Sequence, residues 1–321
     1  MAIQKTGVIP VYCNRKLNGS IGSLLHAVKR DKYLLLLILP VVIYFAVFQY
    51  GPMYGVYIAF NDYTAGKGIL GSPWNNFENF KVFFHSSYFF RNLRNTILLN
   101  GYGLLWGFPI PIVFALLLNE YKDGQFKKFT QTVSYIPHFI STVVIVGMIF
   151  NFLSPTNGLV NSIIKLFGYE AVNFMVKPEW FRTIFISSGI WKGFGFGSVI
   201  YLAAISSIDP QLYDASTVDG ATRWHKLRYI TLPGILPTIV ILLILDIGSI
   251  MQTDFTKILL MYNSATYETA DVISTYAYRT GIVRSEYSYG AAIGLFNSTV
   301  NLCLLILANK VTKKLADISL W

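Results

Sequence analysis

Residues 208–233 read IDPQLYDASTVDGATRWHKLRYITLP. Asp209–Pro210 is typical of a helix start, because aspartate caps free amide groups and proline fits the first helical position. Asp219–Gly220 predicts the end of that helix, since glycine adopts backbone conformations that other residues resist. A second short helix is predicted after this turn, and Leu232–Pro233 is predicted to end it. The segment thus predicts two short helices around a turn, lying between two apolar stretches.

The composition around this segment is that of a membrane protein. Of the 321 residues, 54% are hydrophobic and only 13% are charged, whereas an average soluble domain carries about 25% charged residues. These figures exclude an ordinary cytosolic enzyme, a disordered chain and a disulfide-based scaffold. We therefore expect an all-α integral membrane protein.

Six stretches are long and apolar enough to cross a bilayer, which takes about 20 residues. They lie at approximately residues 33–50, 95–118, 133–153, 183–205, 235–256 and 289–309. The predicted domains are a cytoplasmic N-terminal segment at 1–32, a membrane domain of six transmembrane helices at 33–311 with its cytoplasmic loop at 206–233, and a cytoplasmic tail at 312–321.

The basic residues indicate which side of the membrane each segment faces. The chain has 26 Lys and Arg against 16 Asp and Glu, a net charge of +10. In a soluble protein this excess would suggest nucleic-acid binding, but in a membrane protein it marks the cytoplasmic ends of the spans. Lys and Arg are denser in the segments that lie inside when the N-terminus is cytoplasmic. Both termini are therefore predicted to be cytoplasmic, and no nucleic-acid partner is expected.

The predicted outer segments are rich in aromatic residues, among them Phe77, Phe80 and Trp180. These residues fit an aromatic belt, in which the rings sit at the interface between membrane and water. They equally fit a docking surface for an external partner, and the sequence leaves both interpretations open.

The loop resembles the EAA loop of the permease subunits of ABC importers. That pattern is Glu-Ala-Ala, then Gly after three residues, then Ile-x-Leu-Pro after nine more. Here Asp214-Ala215-Ser216 is followed at the same spacing by Gly220 and by Ile230-Thr231-Leu232-Pro233. Asp214 replaces the usual Glu and Ser216 replaces the second Ala, which keeps the charge and the small size. Other stretches resemble permeases for complex oligosaccharides, related to the larger maltose-system subunit; they are residues 39–40, 48–54, 191–192, 201–204, 208–210, 259–263 and 267–273.

The resemblance implies a type I ABC importer permease fold, crossing the inner (cytoplasmic) membrane of a bacterium several times. It implies four partners besides the lipid bilayer: a second homologous permease, a cytoplasmic ABC ATPase dimer, an extracytoplasmic solute-binding protein and an oligosaccharide substrate. ATP and Mg²⁺ would bind to the ATPase, so this chain would be a transport subunit and not an enzyme. The residues implied in coupling to the ATPase are Tyr213, Asp214, Ala215, Ser216, Asp219, Gly220, Ala221, Leu232 and Pro233.

The sequence has no pattern for a nucleotide, metal or hydrolytic site. A P-loop would require Gly-x-x-x-x-Gly-Lys followed by Ser or Thr, and this pattern is absent. Gly193–Gly197 is glycine-rich but lies in a predicted span, where small residues favour close helix packing. The four histidines, His26, His85, His138 and His225, have no ligand spacing. We expect no cofactor, metal or catalytic residue in this chain.

Charged groups within the predicted spans are candidates for the transport path, because charge at membrane depth is costly and normally faces a cavity or a partner. Lys192, Asp246 and Asp254 are such groups. Helical spacing would place residues 246, 250, 253 and 257 on one face, and Asp254 on a neighbouring face. The charges either line the path or pair with each other or with the partner permease, and both alternatives stay open.

Sugars are recognised by hydrogen bonds and by packing on aromatic rings. The predicted path residues are therefore Trp191, Lys192, Tyr201, Asp246, Gln252, Asp254, Tyr276, Tyr278, Asn297 and Asn301. The basic residues Lys192 and Lys257 make an acidic, uronate-containing oligosaccharide conceivable. An ion-coupled secondary sugar transporter that uses Asp246 or Asp254 is the alternative function, but such a carrier has no need for the loop around Gly220.

Overall fold

The computed structural model describes residues 30–316, with side chains to residue 314. This part of the chain is mostly helical, and its β-structure is limited to an isolated bridge between Asn61 and Trp74. The chain divides into two units, Met1–Gly55 and Val56–Trp321. In the first unit, α1 covers Lys32–Tyr44 and leads into the π-helical turn Phe45–Tyr50 and the short helix Gly51–Met53. Residues 1–29 of the predicted cytoplasmic segment and residues 317–321 of the predicted tail lie outside the described residues, whereas residues 312–316 continue the last helix.

The second unit contains the other numbered helices. Their bounds are α2 Glu78–His85, α3 Phe89–Gly107, α4 Pro109–Glu120, α5 Gln125–Tyr135, α6 Thr142–Phe152, α7 Leu159–Leu166, α8 Pro178–Ser206, α9 Pro210–Val218, α10 Arg223–Lys226, α11 Leu232–Gly248, α12 Phe255–Met261, α13 Tyr267–Ala270, α14 Ile273–Tyr278 and α15 Tyr287–Ala316. Further short helical segments, left without numbers, lie at Tyr54–Phe60, Gly68–Gly71, Ile136–Phe139, Phe174–Val176, Leu227–Thr231 and Arg279–Val283.

Within the described residues, four helical runs are long and apolar enough to cross a membrane. They are Lys32–Phe60, Phe89–Glu120, Arg223–Gly248 and Tyr287–Lys314. A fifth is the bent pair Gln125–Phe139 and Thr142–Phe152, whose halves meet at 98°. These runs contain or overlap five of the six predicted spans. The remaining predicted span, 183–205, lies in α8, which has 29 residues. Its glycines and polar residues lower its mean hydropathy, and α8 is not among the membrane-length apolar runs.

The helix after the loop turn does not end at Leu232–Pro233, so this part of the prediction is wrong. One helical run extends from Arg223 to Gly248. A proline inside an α-helix removes an amide donor and clashes with the carbonyl four residues earlier. Here the turn before Pro233 is a π-helix, Leu227–Thr231, and such wider turns relieve this kind of clash.

The predicted span 235–256 is also wrong at its far end, because α11 stops at Gly248. Asn301 on α15 then accepts a hydrogen bond from the backbone amide of Met251, at 3.0 Å. The carboxylate of Asp254 accepts from the amide of Lys257 at 3.1 Å and so caps the next helix, α12. Residues 246, 250, 253 and 257 therefore do not share one helical face, and the face predicted for Asp254 does not form either.

Helix α8 lies at the centre of the second unit and packs against α3, α4, α5, α11 and α13. Close packing at its glycines was predicted, and the structure confirms it at two of them. A Cβ atom on Gly195 would collide with Ser134 of α5, and one on Gly197 would lie 3.5 Å from Pro111 of α4. Gly193 has open space around it.

A buried ion network joins the segments near α14. The carboxylate of Asp271 is fully buried and accepts hydrogen bonds from Arg279 at 2.7 and 3.1 Å and from Thr275 at 2.9 Å. Arg91 of α3 lies 3.3 Å from the same carboxylate. Burial disfavours the charged form of Arg279, but the hydrogen bonds and charge of Asp271 outweigh it and raise the pKa of Arg279 above its usual range. The network ties α14 to α3.

We expect Asn301→Ala to destabilise the fold, because it leaves the buried amide of Met251 without a partner. Such a loss costs about 1–3 kcal/mol, which thermal unfolding of the protein in detergent would register as a lower Tm. The matched control is Asn297→Ala, one turn earlier on α15, where the side-chain oxygen has no partner among the described residues. Equal Tm values for the two variants would contradict this role of Asn301.

Candidate transport path and coupling loop

The loop forms the predicted helix, turn and helix. Asp209 caps α9 by accepting a hydrogen bond from the amide of Gln211 at 2.9 Å. The turn occurs at Gly220, whose φ of +74° is in the left-handed region that glycine tolerates best. Thr222 then caps the second helix through the amide of His225. The sequence signals at the start of the first helix and at the turn are therefore confirmed, and the Thr222 cap is a further feature of the structure.

Side chains fasten the two halves of the loop together. The hydroxyl of Tyr213 lies 2.9 Å from that of Thr231, and the ammonium of Lys226 donates to the hydroxyl of Thr217 at 2.6 Å. Several apolar side chains remain exposed on this clamped pair, namely Leu212, Val218, Trp224 and Tyr229. An exposed apolar surface on a rigid element is typical of an interaction site.

The predicted coupling residues lie within the loop 208–233, whose two halves these hydrogen bonds join. Asp214, Ala215, Asp219, Gly220 and Pro233 are exposed, and Tyr213, Ser216, Ala221 and Leu232 are half-buried. Ser216 donates to the carbonyl of Tyr213 at 2.8 Å, and the amide of Ala221 donates to the carbonyl of Ser216 at 2.9 Å. The small residues around the turn therefore leave the backbone open to approach, and their contact with an ATPase stays a prediction.

Seven of the predicted path residues line three cavities that share wall residues. The first cavity, of about 400 Å³, is lined by Tyr201, Asp246 and Gln252. The second, of about 330 Å³, is lined by Asp254 and Lys257. The first two share the wall residues Asn100, Gly103, Gly107 and Pro111.

The third cavity has a volume of about 730 Å³ and adjoins the first at Gln252. Its wall includes Tyr278, Asn297 and Asn301. The break between Gly248 and Phe255 exposes Gln252 to both cavities. The three cavities together combine hydroxyl, amide and carboxyl groups with aromatic rings, a set of groups suited to a polar ligand with several hydroxyls.

The other predicted path residues do not line these three cavities. Trp191 lines an apolar cavity of about 420 Å³ between α6 and α8. The ammonium of Lys192 donates to the hydroxyl of Thr142 at 3.0 Å. Tyr276 is buried, and its hydroxyl lies 3.2 Å from that of Tyr289, beside a separate polar cavity of about 870 Å³. Their role in transport stays a prediction.

The structure adds cavity residues that sequence reasoning missed. Asn100, Gly103 and Gly107 form one wall, and their spacing of three and four residues places them on one face of a helix. This stripe of small and polar residues in an apolar span was the signal that could have identified the wall. Lys257 was noted for its charge but not as a path residue. It lies outside the membrane-length helices, and burial lowers its pKa to about 8.

Comparisons with known proteins identify the family to which the chain belongs. Residues 107–317 match the family model "Binding-protein-dependent transport system inner membrane component". The chain is 45% identical over 288 residues, 90% of either chain, to the polygalacturonan/rhamnogalacturonan transport system permease protein YteP of Bacillus subtilis. It is 42% identical over 292 residues to the protein LplB of the same organism, covering 91% of this chain and 92% of LplB.

A solved structure resembles this chain over nearly its whole length. It is a chain of a bacterial alginate ABC transporter, in complex with an alginate pentasaccharide-bound periplasmic protein. The TM-score is 0.85 and the sequence identity 44%, covering 92% of this chain and 99% of the other. A second structure, of a transporter involved in the import of the acidic polysaccharide alginate, matches with the same values.

Proposed function

Because the chain belongs to the family of binding-protein-dependent transport system inner membrane components, and is a sugar ABC transport permease that crosses the inner membrane several times, we propose that it imports acidic oligosaccharides. The observation that carries this proposal is the likeness to a transporter for the acidic polysaccharide alginate, at 44% identity over 92% of the chain. Polygalacturonan, named for the relative YteP, is also a polymer of sugar acids.

The proposed assembly contains this chain, a second homologous permease and a cytoplasmic dimer of ABC ATPases. An extracytoplasmic solute-binding protein delivers the oligosaccharide, and both termini of the chain face the cytoplasm. ATP and Mg²⁺ bind to the ATPase dimer, so this chain carries out no hydrolysis. The periplasmic protein present with the alginate transporter supports the solute-binding protein of this assembly. The exposed apolar residues of the loop around Gly220 support the ATPase dimer.

The continuous helical run from Arg223 to Gly248 gives the loop a direct route to the cavities. With a rise of about 1.5 Å per residue, 26 residues span roughly 39 Å. At one end lies the turn around Gly220, and near the other Asp246 lines the first cavity. We infer that ATPase closure moves this run as one rigid element, so that the cavity walls change when the loop moves.

The alternative function is an ion-coupled secondary transporter. Asp246 and Asp254 both line cavities, so the placement of these carboxylates fits either mechanism. Membership of the permease family favours coupling to an ATPase. The dependence of uptake on ATP separates the two functions.

We expect proteoliposomes that contain the chain with its partner permease, ATPase dimer and binding protein to take up radiolabelled trigalacturonate when ATP is present on the cytoplasmic side. Vesicles with a non-hydrolysable ATP analogue should show no accumulation above background. Maltotriose serves as the neutral control substrate. Uptake by the chain alone under an ion gradient, without an ATPase, would refute the ATP-driven function.

We expect Gly220→Val to uncouple transport from ATP hydrolysis. A β-branched residue at φ +74° is strained by about 1–3 kcal/mol, so the turn must change shape. The measurements are substrate-stimulated ATPase activity, which should fall about tenfold or more, and the yield of the chain in membranes, which should stay normal.

The matched control for that variant is Gly66→Val. Gly66 has ordinary backbone geometry, and a Cβ atom added there would have no heavy atom within 4 Å. It also lies far from the loop in sequence. Normal coupling in Gly220→Val, or equal losses in both variants, would contradict the role given to the turn.

A further inference from the structure

We propose that the ammonium group of Lys257 is the counter-ion for a carboxylate of the transported oligosaccharide and so selects acidic substrates. This inference rests on the proposed function and identifies the group that would recognise the substrate charge.

The ammonium of Lys257 is buried without a carboxylate partner. The residue is only 5% exposed. Its Nζ atom donates a hydrogen bond to the backbone carbonyl of Phe185 at 2.6 Å and lies 4.5 Å from the centre of the Phe185 ring. Among the described residues, no carboxylate lies within ion-pair distance of it. An ammonium has three donors, so two of them are left for another acceptor.

The nearby carboxylate of Asp254 does not neutralise this charge directly. It accepts a hydrogen bond from the backbone amide of Lys257, which holds it at the start of α12, and it does not form an ion pair with the ammonium. A buried charge without a paired opposite charge is costly. The cost falls when an anion enters, and this gives an acidic ligand an advantage over a neutral one of the same shape.

The cavity beside Lys257 has room for such a ligand. It has a volume of about 330 Å³ and adjoins the 400 Å³ cavity at Asn100, Gly103, Gly107 and Pro111. The combined volume of the two cavities is within the range of small-molecule sites. Gly189 of α8 contributes to this space, because a Cβ atom there would lie 3.4 Å from Nζ of Lys257. The glycine therefore lets the ammonium lie against α8 at the cavity wall.

The other cations near the centre of the unit do not line the three path cavities. Arg279 and Arg91 contact Asp271, and Arg182 donates to Asn95 at 2.9 Å. Lys192 donates to Thr142. Among the described residues that line the three path cavities, Lys257 is the one with a positive charge.

The test compares trigalacturonate with its methyl ester, which has the same sugar rings but no carboxylate charge. Uptake of both is measured with the complete transporter in proteoliposomes, for the wild type, Lys257→Gln and Lys257→Arg. Lys257→Gln should lower trigalacturonate uptake about tenfold or more, the change that corresponds to roughly 1.4 kcal/mol, and should change ester uptake less than about twofold. Lys257→Arg keeps the charge and should retain the preference for the acid.

The matched control is Lys81→Gln, which removes an exposed lysine that is paired with Glu78 and lies outside the cavities. Thermal unfolding and basal ATPase activity of each variant show whether it is folded and assembled. Undiminished trigalacturonate uptake by Lys257→Gln would overturn the inference, and so would an equal loss of acid and ester. If the wild type itself imports no oligosaccharide, the proposed function fails, and that outcome is distinct from any result with the variants.

Discussion

The hydrogen bond between Asn301 and the amide of Met251 permits the helix break between Gly248 and Phe255, around which the candidate path cavities lie. Within an apolar helix, every backbone amide that loses its helical partner must find another, because unsatisfied polar groups in an apolar environment cost several kcal/mol. Asn301 supplies that partner, and Asp254 caps the helix that follows. The break between Gly248 and Phe255 is thereby stable, and it exposes Gln252, Asp254 and Lys257 to the cavities.

The walls around this break depend on close approach of backbones. Gly248 lies against Leu305 of α15 so tightly that a Cβ atom would collide with the leucine side chain. Gly103, Gly107 and Gly189 line the second cavity, where the lack of a side chain leaves space. Glycine thus serves two purposes in this fold: it permits contact between helices, and it leaves volume where a ligand would pass.

A continuous helical run links the loop to the cavities. The run from Arg223 to Gly248 is continuous because a π-helical turn accommodates Pro233. A shorter helix ending at Leu232 would have placed a flexible joint between the loop and the cavities. The loop and the cavity wall at Asp246 are instead joined by one continuous helical run.

The sequence by itself determined the membrane class, the positions of most apolar spans, the first helix cap and the turn of the loop around Gly220, and the resemblance to importer permeases. These features depend on local composition and on residues within a few positions of each other. Only the tertiary structure decided that α11 stops at Gly248, that Trp191, Lys192 and Tyr276 do not line the three path cavities, and that Lys257 lies in a cavity wall. The physical reason is that a helix inside an apolar run ends where a distant group satisfies its freed amides. Here that group is Asn301, fifty residues further along the chain.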